Sequence, residues 1–369
     1  MTDTSSRPTY LEVDLARLKN NLDNIRAHVA PAKVMVVLKG NAYGHGVDGV
    51  APFISPYADY LGVALVEEGV HLRELGIHKP ILVMGGTLPA QIPWFIQHDL
   101  TLVASSPDLL EAAEAAARAA EAKLKVHLKI DTGMERIGMH EYEAKDFLQK
   151  AAACSHLQIE GIYSHFANAD SADLSHARLQ MERFEGVLNF YDQNRLPRPA
   201  LCHMANSSAV LQLPESYFDM VRPGILFYGV YPGPTVARAI EVKRALTWRS
   251  QVAFTKITKA GRPVSYGSTW QSSTPVRVVT IPCGYADGYF RRMTNQALVI
   301  VNGKKYPQVG RICMDQFMVN LGEDMGQVGD AVVLLGEGIT PEDLARWAGT
   351  NEYEVLTNIS ARVPRLFVQ

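Results

Sequence analysis

A lysine ends an apolar run and directly precedes a loop of glycine and polar residues in the segment VVLKGNAYGHG (36–46). Partial burial at a strand end lowers the pKa of an ammonium group and leaves the neutral amine that condenses with a carbonyl. A single lysine in this position more often closes a strand at the surface. The interpretation of Lys39 as a nucleophile therefore depends on which other reactive side chains collect near it.

The elements around Lys39 predict a barrel. Between residues 33 and 229, short apolar runs alternate with longer segments of helical spacing, a pattern typical of parallel strands joined by helices. The predicted strands are 34–38, 60–65, 81–84, 101–104, 124–130, 158–163, 200–203 and 225–228. Eight such units favour a (β/α)8 barrel. An open doubly wound sheet is the alternative, but no Gly-x-Gly-x-x-Gly segment follows an early strand.

The sequence changes character after about residue 238. Short alternating runs at 251–257, 276–281, 297–301 and 331–335 are separated by turn residues, which predicts a mainly antiparallel β domain. A helix is predicted at 341–348, with Thr340 as its N-cap. We therefore expect a barrel domain at 1–238 and a β domain at 239–369, with the first residues available to pack on the second domain.

Reactive side chains recur at the predicted strand ends. In a (β/α)8 barrel the active site lies at the C-terminal ends of the strands. The residues at or next to those ends are Lys39, Lys129, Asp131, His165 and His203, with Arg222 directly before the predicted eighth strand. Each could be a structural residue alone, but their collection on one rim favours an active site.

A phosphate site fits the same rim. Ser207 follows strand seven and offers a hydroxyl, and Gly224 and Ile225 follow Arg222 where the backbone can approach an anion. A lysine amine, a phosphate cradle and an arginine together predict pyridoxal 5′-phosphate, held through Lys39.

Composition excludes several classes. The 369 residues carry 36 Lys+Arg against 38 Asp+Glu without a basic stripe, so we expect no nucleic acid partner. No segment is long and apolar enough for a membrane span, and the polar first residues lack a secretion signal, which predicts a cytoplasmic protein. The four cysteines lack the spacing of a metal or redox site, so we expect free thiols and no metal.

Nine segments in order resemble the bacterial alanine racemases, which are fold-type III pyridoxal phosphate enzymes. They are VLKGNAYGHG (37–46), KIDTGMERIG (129–138), EGIYSHFANAD (160–170), HMANSSA (203–209), DMVRPGILFYG (219–229), VSYGSTW (264–270), IPCGYADGY (281–289), VGRICMDQ (309–316) and YEVLTNISARVPR (353–365).

The resemblance implies a homodimer that interconverts L-alanine and D-alanine and supplies D-alanine for peptidoglycan. Lys39 would carry the cofactor and act as one base, and Tyr266 of the partner subunit would act as the other. The resemblance also implies that the phosphate is bound by Tyr43, Ser207, Gly224, Ile225 and Tyr353, and that Arg222 contacts the pyridine with His165 beside it. Arg136 and the Met314 backbone would bind the substrate carboxylate. Lys129 would be carbamylated, and Tyr285 would line the access corridor.

The chain differs from the usual family pattern at a few positions, which are Gly40, Glu135, Trp270, Phe290 and Thr357. Glu135, Trp270 and Phe290 are predicted to affect side-chain selectivity. The alternative activities are a racemase of serine or of many amino acids, a fold-type III decarboxylase and a non-catalytic pyridoxal phosphate carrier. The decarboxylase is disfavoured by Arg222, and the carrier is disfavoured by Tyr266, since a carrier needs no second base.

Overall fold

The computed structural model describes residues 7–369, so most of the polar segment in which we expected no secretion signal lies outside the described residues. The strands in chain order are β1 Tyr10–Asp14, β2 Lys33–Val37, β3 Tyr60–Val63, β4 Ile81–Val83, β5 Leu102–Ala104, β6 Leu124–Asp131, β7 Met139–His140, β8 Leu157–Tyr163, β9 Leu201–His203, β10 Met220–Val221, β11 Leu246–Gln251, β12 Phe254–Thr258, β13 Pro263–Val264, β14 Trp270–Gln271, β15 Val276–Ile281, β16 Leu298–Val301, β17 Lys304–Val309, β18 Phe317–Gly322, β19 Ala331–Leu335 and β20 Arg365–Val368. The α-helices are Leu15–Val29, Val47–Ile54, Val66–Glu74, Ile92–Gln97, Pro107–Ala119, Ala144–Ala153, Ser175–Gln193, Ser207–Gln212, Pro341–Ala348 and Glu352–Thr357.

The chain forms two compact units that are not contiguous in sequence. The barrel unit contains Leu18–Ala42 and Val47–Lys243. The β unit contains the described residues up to Arg17, together with Tyr43–Gly46 and Arg244–Gln369. The segment that follows Lys39 therefore passes from one unit into the other within a few residues.

The barrel unit is built on eight parallel strands, in the order β4-β3-β2-β10-β9-β8-β6-β5. β4 and β5 meet through a parallel bridge between Leu82 and Thr101, which brings the two ends of the sheet together. Apolar side chains fill part of the interior, namely Met35, Tyr60, Leu82, Val103, Tyr163, Leu201 and Met220. The predicted (β/α)8 barrel is confirmed.

The predicted eighth strand at 225–228 is wrong. The eighth strand is β10, which pairs with β2 and β9, and residues 225–228 form buried turns. Pro223 has no N–H to donate to a sheet, so the strand ends before it. The apolar run that follows is buried without being extended, a case that periodicity alone does not distinguish. Arg222 therefore follows the eighth strand and does not precede it.

The β unit contains a nine-stranded sheet, in the order β12-β15-β18-β17-β16-β19-β11-β1-β20. Its pairings are antiparallel except that β1 and β20 run parallel. The predicted strand at 251–257 corresponds to β12, which begins three residues later, because Gln251 is the last residue of β11 and pairs with β19. The helix Pro341–Ala348 is confirmed, and the Thr340 Oγ1 accepts a hydrogen bond from the Asp343 N–H at 3.1 Å.

All four cysteines are free thiols, as predicted. Within residues 7–369, none of the helices combines the length and the apolar character needed to cross a bilayer.

Candidate active site

Lys39 lies two residues beyond the end of β2 and begins an unusual turn. The next four residues have positive φ angles of 62°, 55°, 54° and 50°, at Gly40, Asn41, Ala42 and Tyr43. A left-handed helical backbone costs roughly 1–2 kcal/mol per residue for L-amino acids other than glycine. The surroundings of Lys39 must therefore hold this turn in place.

The electrostatic surroundings of Lys39 favour its neutral amine. The side chain remains accessible to solvent, but the protein atoms around it still lower the pKa of the amine. Partial desolvation is the largest cause, and the charges of Arg136 and Arg222 act in the same direction, whereas Glu68 raises the pKa. A larger fraction of the amine is therefore free to act as a base or nucleophile than in an exposed lysine.

Arg222 is buried and makes several hydrogen bonds at the same rim. Its Nη2 donates to the carbonyls of Ser164 at 2.9 Å and Met204 at 3.0 Å and to the His165 Nδ1 at 3.1 Å. Its Nη1 donates to the His203 Nδ1 at 2.7 Å. None of these bonds uses Nε. Burial lowers the pKa of Arg222 to about 10, so the guanidinium stays charged at neutral pH.

His203 connects Arg222 to a second buried histidine. Because arginine only donates, the His203 Nδ1 must accept, and the proton of the neutral ring resides on Nε2. That Nε2 lies 2.9 Å from the His127 Nδ1, and the His127 Nε2 lies 3.6 Å from the Glu160 carboxylate. Burial lowers the pKa of both histidines, so both are neutral at pH 7. This series of contacting side chains fixes the orientation of Arg222.

The sequence pattern singles out His203 without giving it a role, and it does not single out His127 or Glu160. One signal was available, since His127 interrupts the apolar residues of β6. A second signal is Gly161, because a Cβ there would lie 2.5 Å from the His127 Nδ1. Only glycine leaves room for the imidazole at this position.

Lys129 is buried on β6. Its Nζ lies 4.7 Å from the centre of the Tyr163 ring and 3.3 Å from the Ile130 carbonyl oxygen. Burial, followed by the charge of Arg222, lowers the pKa of Lys129 well below its usual range.

The loop after β6 presents Arg136. The Asp131 carboxylate accepts hydrogen bonds from the N–H groups of Gly133 at 2.8 Å, Met134 at 2.9 Å and Arg136 at 3.2 Å. Asp131 therefore organises the loop. The exposed Arg136 side chain acts on Lys39 and on Lys129, and lowers the pKa of each.

Three of the predicted phosphate-binding residues lie together in the barrel unit. The Ser207 Oγ accepts hydrogen bonds from the N–H groups of Gly224 at 2.9 Å and Leu226 at 3.3 Å, and Ile225 lies in the same turn. Asn206 caps the helix that begins at Ser207. The Ser207 oxygen accepts these two bonds and keeps its own proton, which it can donate to an anion beside the helix start.

The remaining predicted site residues belong to the β unit. Tyr266 begins a short turn between β13 and β14, and its side chain is 71% exposed. The Ser265 Oγ donates to the Arg311 carbonyl at 2.6 Å, and a Cβ on Gly267 would lie 2.9 Å from the Arg311 Cζ. The loop that carries Tyr266 is thus held against the segment before Met314.

Tyr285 and Met314 lie on two loops that bond to each other. The Tyr285 N–H donates to the Cys313 carbonyl at 3.1 Å, and the Ala286 N–H donates to the Met314 carbonyl at 3.0 Å. In the same unit, the rings of Tyr43 and Tyr353 have centroids 6.2 Å apart. The predicted residues are thus divided between the two units.

Asp287 anchors the loop that carries Tyr285. Its buried carboxylate accepts hydrogen bonds from the Gly284 N–H at 2.9 Å and from Arg362 at 2.7 Å, and it also pairs with Arg7. Arg362 in turn pairs with the exposed Asp315, the residue after Met314. The sequence does not reveal this cluster, because its members are far apart along the chain.

The parallel barrel carries a lysine of lowered pKa and a buried arginine on one rim. This arrangement is typical of barrel enzymes in which a lysine amine condenses with a carbonyl group. Two family models match the chain, "Alanine racemase, N-terminal domain" at residues 13–232 and "Alanine racemase, C-terminal domain" at residues 245–367. The chain belongs to the alanine racemase family.

Individual relatives cover nearly the whole chain. An alanine racemase of Carboxydothermus hydrogenoformans is 42% identical over 98% of this chain and 100% of the relative. The structure of a Clostridium difficile 630 alanine racemase has a TM-score of 0.94 at 34% identity, covering 98% of this chain and 96% of that one. An alanine racemase from Bartonella henselae, described with covalently bound pyridoxal phosphate, has a TM-score of 0.90 at 28% identity and covers 98% and 99%.

Proposed function

We propose that this chain interconverts L-alanine and D-alanine with pyridoxal 5′-phosphate bound through Lys39. The observation that carries the proposal is the rim cluster, in which Lys39 has a lowered pKa and Arg222 is fixed by four hydrogen bonds. Membership of the alanine racemase family supports the reaction and the substrate.

The residues of the barrel unit fit the cofactor by their chemistry. Ser207, Gly224 and Ile225 would hold the phosphate, together with Tyr43 and Tyr353. Arg222 would face the pyridine nitrogen, because its Nε is not used in the bonds to His165, His203 and the two carbonyls. When bound, pyridoxal phosphate supplies a conjugated ring that withdraws electrons from the α-carbon of the amino acid.

Lys39 and Tyr266 would move the proton. Racemisation removes the α-proton from one face and returns a proton to the other, so it requires a base on each face. The neutral Lys39 amine accepts the α-proton of D-alanine. The deprotonated Tyr266 oxygen accepts the proton of L-alanine and becomes a hydroxyl group. Each group then carries the proton needed for the reverse direction.

Arg222 would limit side reactions. A guanidinium does not readily release a proton, so the pyridine nitrogen that it faces stays unprotonated. The cofactor is then a weaker electron sink than one paired with a carboxylate. This favours rapid return of the proton to the α-carbon.

Arg136 and the Met314 backbone would bind the substrate carboxylate. Lys129 would support Arg136 as a carbamate, formed when its neutral amine adds to carbon dioxide and releases a proton. The lowered pKa of Lys129 supplies that neutral amine. The carbamate would place an anion near Arg136, where the free Lys129 amine is neutral.

The site would be completed in a homodimer. Tyr266 belongs to the β unit and is 71% exposed, which leaves its hydroxyl free to enter the site of a partner subunit. Tyr285 would line the corridor by which alanine enters.

The test maps the covalent attachment. The full chain with pyridoxal phosphate should be yellow, and borohydride should remove the colour and fix the cofactor mass on Lys39. Lys39→Ala should lose both the fixed mass and alanine racemisation. The matched control is Lys33→Ala, an exposed lysine at the start of β2, which should behave as the parent. Fixation on another lysine, or no fixation in the parent, would overturn the proposal.

A further inference from the structure

The carboxylate of Glu68 joins two segments at the barrel rim. Its Oε1 accepts a hydrogen bond from the Gly40 N–H at 2.7 Å. Its Oε2 accepts from the N–H groups of Ala64 at 2.8 Å and Leu65 at 3.1 Å. Glu68 is the third residue of the helix Val66–Glu74, so its bond to Leu65 is an ordinary helix cap. The bond to Gly40 has no role in that helix.

The hydrogen bond between Gly40 and Glu68 lies next to Lys39. Gly40 directly follows Lys39 and begins the left-handed turn, with a φ of 62°. Glycine adopts this conformation easily, but Asn41 and Ala42 after it do not. A fixed acceptor at the first N–H of the turn opposes its relaxation toward the right-handed region.

Only a carboxylate of this length serves all three N–H groups. A glutamine would place an NH2 group against one of the donors, and an aspartate is one carbon shorter. The arrangement thus depends on both the charge and the reach of Glu68.

We propose that Glu68 is a positioning residue for Lys39, because it fixes the left-handed turn that directs the lysine amine. This inference rests on the proposed function, in which Lys39 bonds to the cofactor.

Glu68 also acts on the amine by charge. Among residues 7–369, the charged groups that act on Lys39 are Arg136, Arg222 and Glu68, and of these Glu68 alone raises the pKa of the amine. Glu68→Gln should therefore lower that pKa further. A general loosening of the site would do the opposite, since better hydration moves a lysine pKa back up toward its usual value.

The experiment measures how fast Lys39 captures the cofactor. The full chain is freed of cofactor, pyridoxal phosphate is added, and covalent attachment is followed by absorbance across a pH series. Rates are compared above the midpoint of each variant's own pH profile, where the amine is neutral. Since small displacements of a reacting group reduce rates strongly, Glu68→Gln and Glu68→Asp should each be at least about tenfold slower than the parent.

The control is Glu67→Gln, which removes the same charge from an exposed position on the same helix turn. It should keep the parent rate and the parent midpoint. The midpoint of Glu68→Gln should shift to lower pH. If Glu68→Gln does not fold, Glu68→Asp provides the rate comparison.

Two results would overturn the inference: an unchanged rate in the folded Glu68 variants, or a slower rate with a midpoint that stays fixed or rises in Glu68→Gln. Fixation of the parent's cofactor on a lysine other than Lys39 would overturn the proposed function instead. The two failures are therefore distinguishable.

Discussion

At the scale of single residues, Glu135 illustrates how a change of charge is accommodated. It follows Met134 at a φ of 53°, a backbone conformation that favours glycine. Its Oε2 lies 2.9 Å from the His140 Nε2, and this hydrogen bond raises the pKa of His140. When His140 is protonated, it offsets the charge that Glu135 brings near Arg136. The prediction that Glu135 alters side-chain selectivity stays a prediction.

The two bases can be separated by the direction of proton exchange. Tyr266→Phe keeps the ring but removes the hydroxyl group, so solvent deuterium should no longer enter the α-carbon from L-alanine. Loss of a positioned base typically costs about 10²–10⁴-fold in rate. Incorporation is measured by mass spectrometry for each enantiomer alone, with cofactor fixation on Lys39 as the control for an intact barrel. Exchange from L-alanine at the parent rate would show that another group is the second base.

The residues that sequence analysis missed share one property. Glu68 contacts Gly40 over 28 residues, and His127 reaches His203 over 76 residues. Such contacts depend on the ring of strands, which brings together residues that are far apart along the chain. The motif residues could be named because their order along the chain resembles a family, and Lys39 could be named because other reactive side chains collect at the same predicted strand ends.

At the scale of elements, the predictable features were those with a strong local pattern. The helix Pro341–Ala348 has a capping residue, a proline at its start and acidic residues in its first turn, and its predicted bounds are confirmed. β10 has only two residues, which is too short for a periodic pattern. The longer apolar run after Pro223 was therefore mistaken for it.

The loop that carries Tyr285 depends on a buried ion cluster. Asp287→Asn keeps the size of the side chain but removes the charge that pairs with Arg7 and Arg362. Because hydrogen bonds to buried charged groups are among the stronger ones, we expect the free energy of unfolding to fall by about 1–3 kcal/mol. Chemical denaturation measures this change.

The matched control is Asp315→Asn, which removes the exposed partner of the same Arg362. Exposed ion pairs contribute about 0–1 kcal/mol, so this variant should be close to the parent. Equal destabilisation by the two substitutions would contradict the importance of the buried carboxylate.

At the scale of the whole molecule, a shared site predicts complementation between inactive chains. Lys39→Ala and Tyr266→Phe should each be inactive as homodimers. A mixed dimer contains one site with both bases intact, so random exchange should restore up to about a quarter of the parent activity. The measurement is racemisation after mixing, with subunit exchange followed by mass spectrometry. Confirmed exchange without recovered activity would exclude a site that combines the two subunits.

The position of β1 in the sheet has a consequence for protein synthesis. β1 leaves the ribosome early, but its partners β11 and β20 begin at Leu246 and Arg365. At about 5–20 residues per second, β1 waits on the order of ten to fifty seconds for its first partner. The barrel strands are made during that interval, so the nascent chain must carry an unpaired strand edge. Its other neighbour, β20, is made later still, because it begins at Arg365.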